Sequence, residues 1–215
     1  MEKMKVNDIR GMFEIVANEM VINKDHLIQL DAQNGDGDLG LSMTGGFTAT
    51  VDMLSTVEES DLGKVFLKIS KTFNEAAPST MGTLLSIVFM GIAKSLKGYT
   101  EIDAPLWAQG FEAGLQLLMD KGGAKPGEKT IIDSLYPAVQ VMNDAAAHGT
   151  FAEMMEKAAE AARQGMEATK DMRSVHGRAA YYGDKSIGIQ DGGATVGMLL
   201  MKGCAAYWMT KKQNG

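Results

Sequence analysis

Gly35-Asp-Gly-Asp-Leu-Gly40 matches the spacing G-x-G-x-x-G letter for letter, and how it is read decides the fold. A dinucleotide-binding turn with that spacing follows a parallel strand and brings bare backbone N–H groups up to a pyrophosphate. Here Asp36 and Asp38 occupy variable positions, and their charge repels phosphate unless a cation intervenes. No period-two alternation in the chain supplies the strand. A calcium loop of the EF-hand type begun at Asp31 asks for Glu at its twelfth position, where Ser42 stands. With both patterns rejected, what remains is a set of three acids, Asp31, Asp36 and Asp38, interleaved with Gly35, Gly37 and Gly40. Carboxylates this close repel one another unless a cation sits among them, and glycine lets the backbone turn tightly enough to aim them at one point. Hard oxygen donors without nearby Cys or His favour Mg²⁺ or Ca²⁺ over zinc or copper. The same residues also suit a solvated acidic turn.

Outward from this stretch the chain reads as helix after helix. Before it, Ile9, Met12, Phe13, Val16 and Met20 repeat with a period near 3.6 behind a cap at Asn7 or Asp8. Asn23-Lys-Asp25 then interrupts, and a short apolar piece (Leu27, Ile28, Leu30) leads into the acidic loop. After the loop, a second helix carries Met43, Phe47, Val51 and Leu54. A third, capped by Glu58-Glu-Ser-Asp61, carries Val65, Phe66, Ile69 and Phe73. A fourth leaves the small-residue turn around Pro78 through Leu85, Val88 and Ile92, and a fifth starts at Asp103 with Pro105 just inside and stops at Gly122-Gly123. The sixth, with Pro137 in it or near its start, the seventh from Phe151, and the last from Ala194 to about Trp208 complete the set, with a frayed tail from Lys211. Eight amphipathic helices and no strand predict an all-α bundle in one domain over residues 1–215.

Composition narrows the function. A formal charge of −6 and a pI near 5.1 argue against a general nucleic-acid or membrane-surface binder. A single cysteine, Cys204, excludes an internal disulfide and suits a reducing compartment. The opening residues lack a signal-peptide core and no run approaches the length of a membrane span, so a cytoplasmic protein is expected. The 17 methionines fall mostly on helical apolar faces, where core filling accounts for them. His26, His148 and His176 are scattered and read as surface or capping residues. Neither a Ser/His/Asp arrangement nor a Walker-type phosphate loop is present.

In an antiparallel bundle, alternate connections share one end. The loops after the first, third, fifth and seventh helices are the acidic stretch, Pro78 to Thr83, Gly122 to Thr130, and Asp171 to Gly193, which are also the richest in Gly, hydroxyls and charge. A common mouth built from them suits a phosphorylated ligand: acids hold Mg²⁺ against phosphate oxygens, helix N-termini offer N–H groups, and Arg178 and Lys185 neutralise further charge.

Three segments then resemble one family. The acidic stretch, Pro126-Gly-Glu-Lys-Thr130, and the run from Gly177 to Thr195 are similar, in order and approximate spacing, to the nucleotide-binding L subunit of dihydroxyacetone kinase, DhaL. The resemblance implies a closed barrel of eight antiparallel helices with ADP or ATP at one end. It implies that Asp31, Asp36 and Asp38 hold two Mg²⁺ ions, that Leu39, Gly40, Leu41 and Ser42 border the phosphates, and that Thr80, Met81 and Gly82 lie against the nucleotide. Gly122 and Ile131 would line the adenine side, and Arg178 with Asp191, Gly192 and Gly193 would close over it. It also implies a kinase active with partners: a K-type subunit that holds dihydroxyacetone or a related short ketose and, in many bacterial systems, an M-type phosphotransferase-system subunit. A nucleotide-holding regulatory or adaptor subunit is the alternative. The chain departs from the family's pattern at three places: Leu39 stands where His is usual, Pro78-Ser-Thr-Met-Gly82 replaces Gly-Gly-x-Ser-Gly, and Asp191-Gly-Gly193 replaces Asp-Pro-Gly.

Overall fold

The computed structural model describes residues 2–214. It is all-α: among the described residues there are nine α-helices and two 3-10 segments, and the only extended pairing is the single antiparallel bridge between Met4 and Ile102. The helices are α1 (Val6–Ile22), α2 (Lys24–Ala32), α3 (Leu39–Thr56), α4 (Leu62–Ala76), α5 (Thr80–Ser95), α6 (Ala104–Gly122), α7 (Ile132–Ala146), α8 (Phe151–Ala168) and α9 (Gly192–Asn214). No helix is long and apolar enough to cross a membrane among the described residues.

Capping chemistry sets several of the boundaries. Asp61 accepts the Lys64 N–H at 3.0 Å, Ser79 Oγ accepts the Gly82 N–H at 3.1 Å, and Asp103 accepts the Leu106 N–H at 3.2 Å. Thr150 and Glu153 cap α8 reciprocally. Gly123 ends α6 at a φ of 71°, where a side chain is disfavoured.

Three expectations need correction. The piece 24–32 is a helix, so there are nine rather than eight; with only Leu27 buried along it, its apolar signal was too brief to show a helical period. Asp31 therefore sits in the last turn of α2 and not in the loop. The first helix starts at Val6, because Asp8 accepts the Lys5 N–H at 2.8 Å from the third helical position rather than acting as the cap. The tail from Lys211 continues α9 to Asn214, and Gly215 lies outside the described residues. The long polar stretch also folds locally, into 3-10 turns over Thr169–Asp171 and Arg178–Ser186, the latter kinked at Gly183.

Each long helix packs on the next, α1 on α3, then α4 through α9 in order, and α9 returns to α1, while α2 lies against α3 and α9. The core between α1, α3, α4, α5 and α6 is aromatic: Phe47 meets Phe73 edge-on at 4.8 Å, and Trp107 meets Phe111 at 4.9 Å. Between α8 and α9 the rings of Phe151 and Trp208 stack at 4.3 Å.

Close helix approach depends on a few glycines. A Cβ on Gly165 of α8 would lie 2.0 Å from the Asp133 carbonyl oxygen and 2.9 Å from Pro137 Cγ on α7. Pro137 has no N–H to offer that carbonyl, and the backbone of α8 passes over the gap. Gly110 of α6 is different, because a Cβ there meets only ordinary contacts at 3.6 Å. Gly165→Ala is therefore expected to destabilise by roughly 1–3 kcal/mol through overpacking. Gly110→Ala is expected to stabilise by about 1 kcal/mol through helix propensity. Thermal melts of the two variants should move in opposite directions, by about 2–4 °C per kcal/mol.

Candidate functional site

The acid cluster is built on the end of α2 and the turn into α3. Asp31 Oδ2 accepts the Gly37 N–H at 2.7 Å and the Asp38 N–H at 3.1 Å, so the turn wraps around its carboxylate. Gly35 makes the wrap possible, since a Cβ there would fall 2.3 Å from Asp31 Oδ1. One oxygen from each of Asp31, Asp36 and Asp38 lies within 4.8 Å of the others, a span that one hard divalent cation bridges. Withdrawal from water raises the affinity of the Asp38 carboxyl for its proton, and the charges of Asp36 and Asp31 add to that. The counter-charge present is Arg178, whose guanidinium meets Asp36 at 2.9 Å from the long loop.

Beside the cluster opens a cavity of about 440 Å³, in the size range of small-ligand sites. The acids edge it, Leu30, Leu39, Met81, Leu84 and Ile131 give it apolar walls, and segments from all four predicted loops contribute to it. A wider groove over α8 and α9, about 850 Å³, lacks this convergence; Met198, Ala205 and Met209 line it, and its Glu160 and Arg163 bond each other at 2.8 Å.

The wall opposite the acids is held by Lys129. Its side chain turns inward, 4% exposed, from a backbone with φ of +61°. Its Nζ donates to the carbonyls of Ser186 and Ile189, both at 2.6 Å, and of Met172 at 3.1 Å. Burial lowers its pKa, and the charge of Asp191 works against that. Asp133 fastens the same turn from below, accepting the Gly127 N–H at 2.5 Å and the Thr130 N–H at 2.7 Å. Glu128 bonds His176 Nε2 at 2.6 Å, tying turn to loop a second time. Asp191 caps α9 by accepting the Ala194 N–H at 2.7 Å, and burial pushes its carboxyl up to about 6 against that bond and Lys129.

The fold brings eleven of the sixteen predicted site residues to this cavity: Asp31, Asp36, Asp38 and Leu39 on one side, Thr80, Met81 and Ile131 on another, and Arg178, Asp191, Gly192 and Gly193 from the long loop. Gly40, Leu41, Ser42, Gly82 and Gly122 are not on its wall. Gly40 is taken up by the close passage of α2, Leu41 points outward, the Gly82 N–H is used by Ser79, and Gly122 stands behind Leu84. Lys185 is also off the wall. Lys129, Ser174, His176 and Gln190 also line the cavity, although the sequence pattern marks none of them as a site residue; His176, expected as a surface or capping residue, is on its wall. Only the compact turn Pro126–Thr130 hinted at Lys129.

A family model described as the DAK2 domain matches residues 33–206. The chain is 29% identical over 179 residues to the PEP-dependent dihydroxyacetone kinase, ADP-binding subunit DhaL, of Escherichia coli K12, covering 83% of this chain and 85% of that one. It is 33% identical over 178 residues to the corresponding ADP-binding subunit of dihydroxyacetone kinase 1 of Listeria innocua, covering 83% and 84%. Among solved structures, the dihydroxyacetone kinase from C. freundii in complex with AMP-PNP and Mg²⁺ has the same fold, with a TM-score of 0.71 at 24% identity over 92% of this chain. This chain spans 33% of that one.

Asp191 gives the site a pH signature. Its folded carboxyl titrates near 6 against an ordinary 3.8, so the folded state holds the proton more tightly between those values. The stabilisation it contributes is complete below about pH 4 and is lost as pH rises through about 6. In metal-free buffer the melting temperature of the wild type, measured relative to Asp191→Asn, is expected to fall between pH 4 and pH 6 and then level off. Parallel curves would rule out this role.

Proposed function

The chain belongs to the DAK2-domain family, and from that premise we propose that it is the adenine-nucleotide-binding subunit of a kinase for dihydroxyacetone or a related short ketose. The observation that carries the proposal is the placement of three mutually repelling carboxylates at the edge of a cavity that also has apolar walls, from Leu30, Leu39, Met81, Leu84 and Ile131. That combination suits a ligand with a metal-bound polyphosphate at one end and a flat, uncharged group at the other. The two relatives described as ADP-binding subunits support the choice of nucleotide.

Asp31, Asp36 and Asp38 would hold Mg²⁺, two ions by family resemblance, and the metal supplies neutralisation of phosphate charge. The protein's own residues then position the ligand. Arg178, already paired with Asp36, turns its guanidinium toward the phosphate end. Leu39, Met81 and Ile131 exclude water from the nucleoside, and the half-buried caps of α5 and α9 fix the two helix starts beside it. In this proposal the ketose is held by a K-type partner, and the chain's own part is to position the nucleotide. Phosphoryl supply by an M-type phosphotransferase-system subunit is part of the same proposal, resting on the PEP-dependent relatives.

Saturating Mg-ADP or Mg-ATP is expected to raise the melting temperature by about 5–11 °C, corresponding to about 2.7 kcal/mol at a hundredfold excess over Kd. Asp36→Asn is expected to abolish the shift. A melting curve that ignores both nucleotides at millimolar Mg²⁺ would overturn the proposal.

A further inference from the structure

Ser174 is built into the cavity wall with its side chain shut off from water, 3% exposed, and its hydroxyl has no hydrogen-bond partner. A buried hydroxyl left unpaired costs about 1–3 kcal/mol, so native proteins rarely keep one without a use. The backbone around it is not loose. The Ser174 N–H donates to Ser186 Oγ at 2.9 Å, and Ser186 Oγ donates onward to the Gly183 carbonyl at 2.6 Å. Two residues before, the Met172 carbonyl is held by Lys129; two residues after, His176 is held by Glu128. Among the buried side-chain polar atoms on the cavity wall, the Ser174 hydroxyl is the one without a partner.

Resting on the nucleotide reading, we propose that Ser174 is a ligand-contacting residue whose Oγ hydrogen-bonds the nucleoside part of the bound nucleotide. A neutral hydroxyl suits a neutral partner such as a ribose hydroxyl or the base edge. A phosphate is the poorer match here, because the nearest ammonium, Lys129, is taken by three carbonyls and Asp191 adds negative charge. Phosphate is better served at the acid cluster and Arg178. The backbone on both sides is held, so the hydroxyl, closed off from water in the ligand-free chain, reaches the ligand by a turn about χ1 at little cost in ordering.

Ser174→Ala separates this role from a structural one by sign. The ligand-free variant, melted in EDTA, should be as stable as the wild type or more so, since an unsatisfied group has been removed. Calorimetric titration with Mg-ADP should show affinity weakened about three- to tenfold, the scale of one neutral hydrogen bond. Affinity for Mg-pyrophosphate, which has no nucleoside, should be the same in both proteins. With 2′-deoxy-ADP, a loss that vanishes assigns the contact to the ribose and a loss that persists assigns it to another group of the nucleoside; both support the proposal. Unchanged Mg-ADP affinity, an equal loss for pyrophosphate, or a lower melting temperature of the ligand-free variant would each overturn it. Failure of the wild type itself to bind Mg-ADP would instead bring down the nucleotide reading, and this inference with it.

Discussion

Lys129 Nζ donates to the carbonyls of Met172, Ser186 and Ile189, and through those bonds the loop between α8 and α9 takes its course. Removing an ammonium from water is costly unless its donors are satisfied, and this one has three protein acceptors for its three hydrogens. The left-handed backbone of Lys129 is a further cost for a residue with a side chain. Both are offset because the turn is over-determined, with Asp133 holding the N–H groups on either side of it. The loop has no long helix of its own to stabilise it, only the short 3-10 turns. Its wall-forming residues, Ser174, His176 and Arg178, stand where they do because a charge in the preceding turn fixes the chain around them.

The site then has two electrostatic halves. On one side, Asp31, Asp36 and Asp38 are close enough to raise the proton affinity of Asp38, and one arginine partly compensates. That half is underneutralised and disposed toward cations. On the other side, Lys129 and Asp191 lie close enough to influence each other's titration, and their hydrogen bonds go to backbone. In that half the Ser174 hydroxyl is the one buried side-chain polar atom without a partner. A ligand charged at one end and neutral at the other fits the contrast, and the helical frame keeps the halves apart.

Much of the fold was legible because it rests on short-range chemistry. Asp61 and Asp103 announce helix starts by their own side chains, and the α1 stripe from Ile9 to Met20 is buried as its period requires. The nine-residue α2 escaped notice because one buried leucine gives no period, and Asp31 moved with it from loop to helix. Of the site, the acids were legible as a local cluster. Lys129 was not, because the direction of a lysine side chain in a turn depends on carbonyls more than forty positions away. Ser174 was not, because what marks it is a missing partner, which only the folded structure can show.

The three departures from the family's pattern meet in space. A Cβ on Gly192 would lie 2.7 Å from Leu39 Cδ2, and a Cβ on Gly193 would lie 2.7 Å from Met81 Cε. Gly192 opens α9, where proline is otherwise well accommodated. With Leu39 buried against that spot, a proline there would displace it. Leu39, the Met81-bearing turn and the Gly192-Gly193 pair are thus one packing solution, in which larger apolar side chains enter from α3 and α5 and the start of α9 gives way to them. Leu39, Met81 and the Gly192-Gly193 pair therefore sit together on the cavity wall where α3, α5 and α9 begin, beside the acid cluster rather than in it.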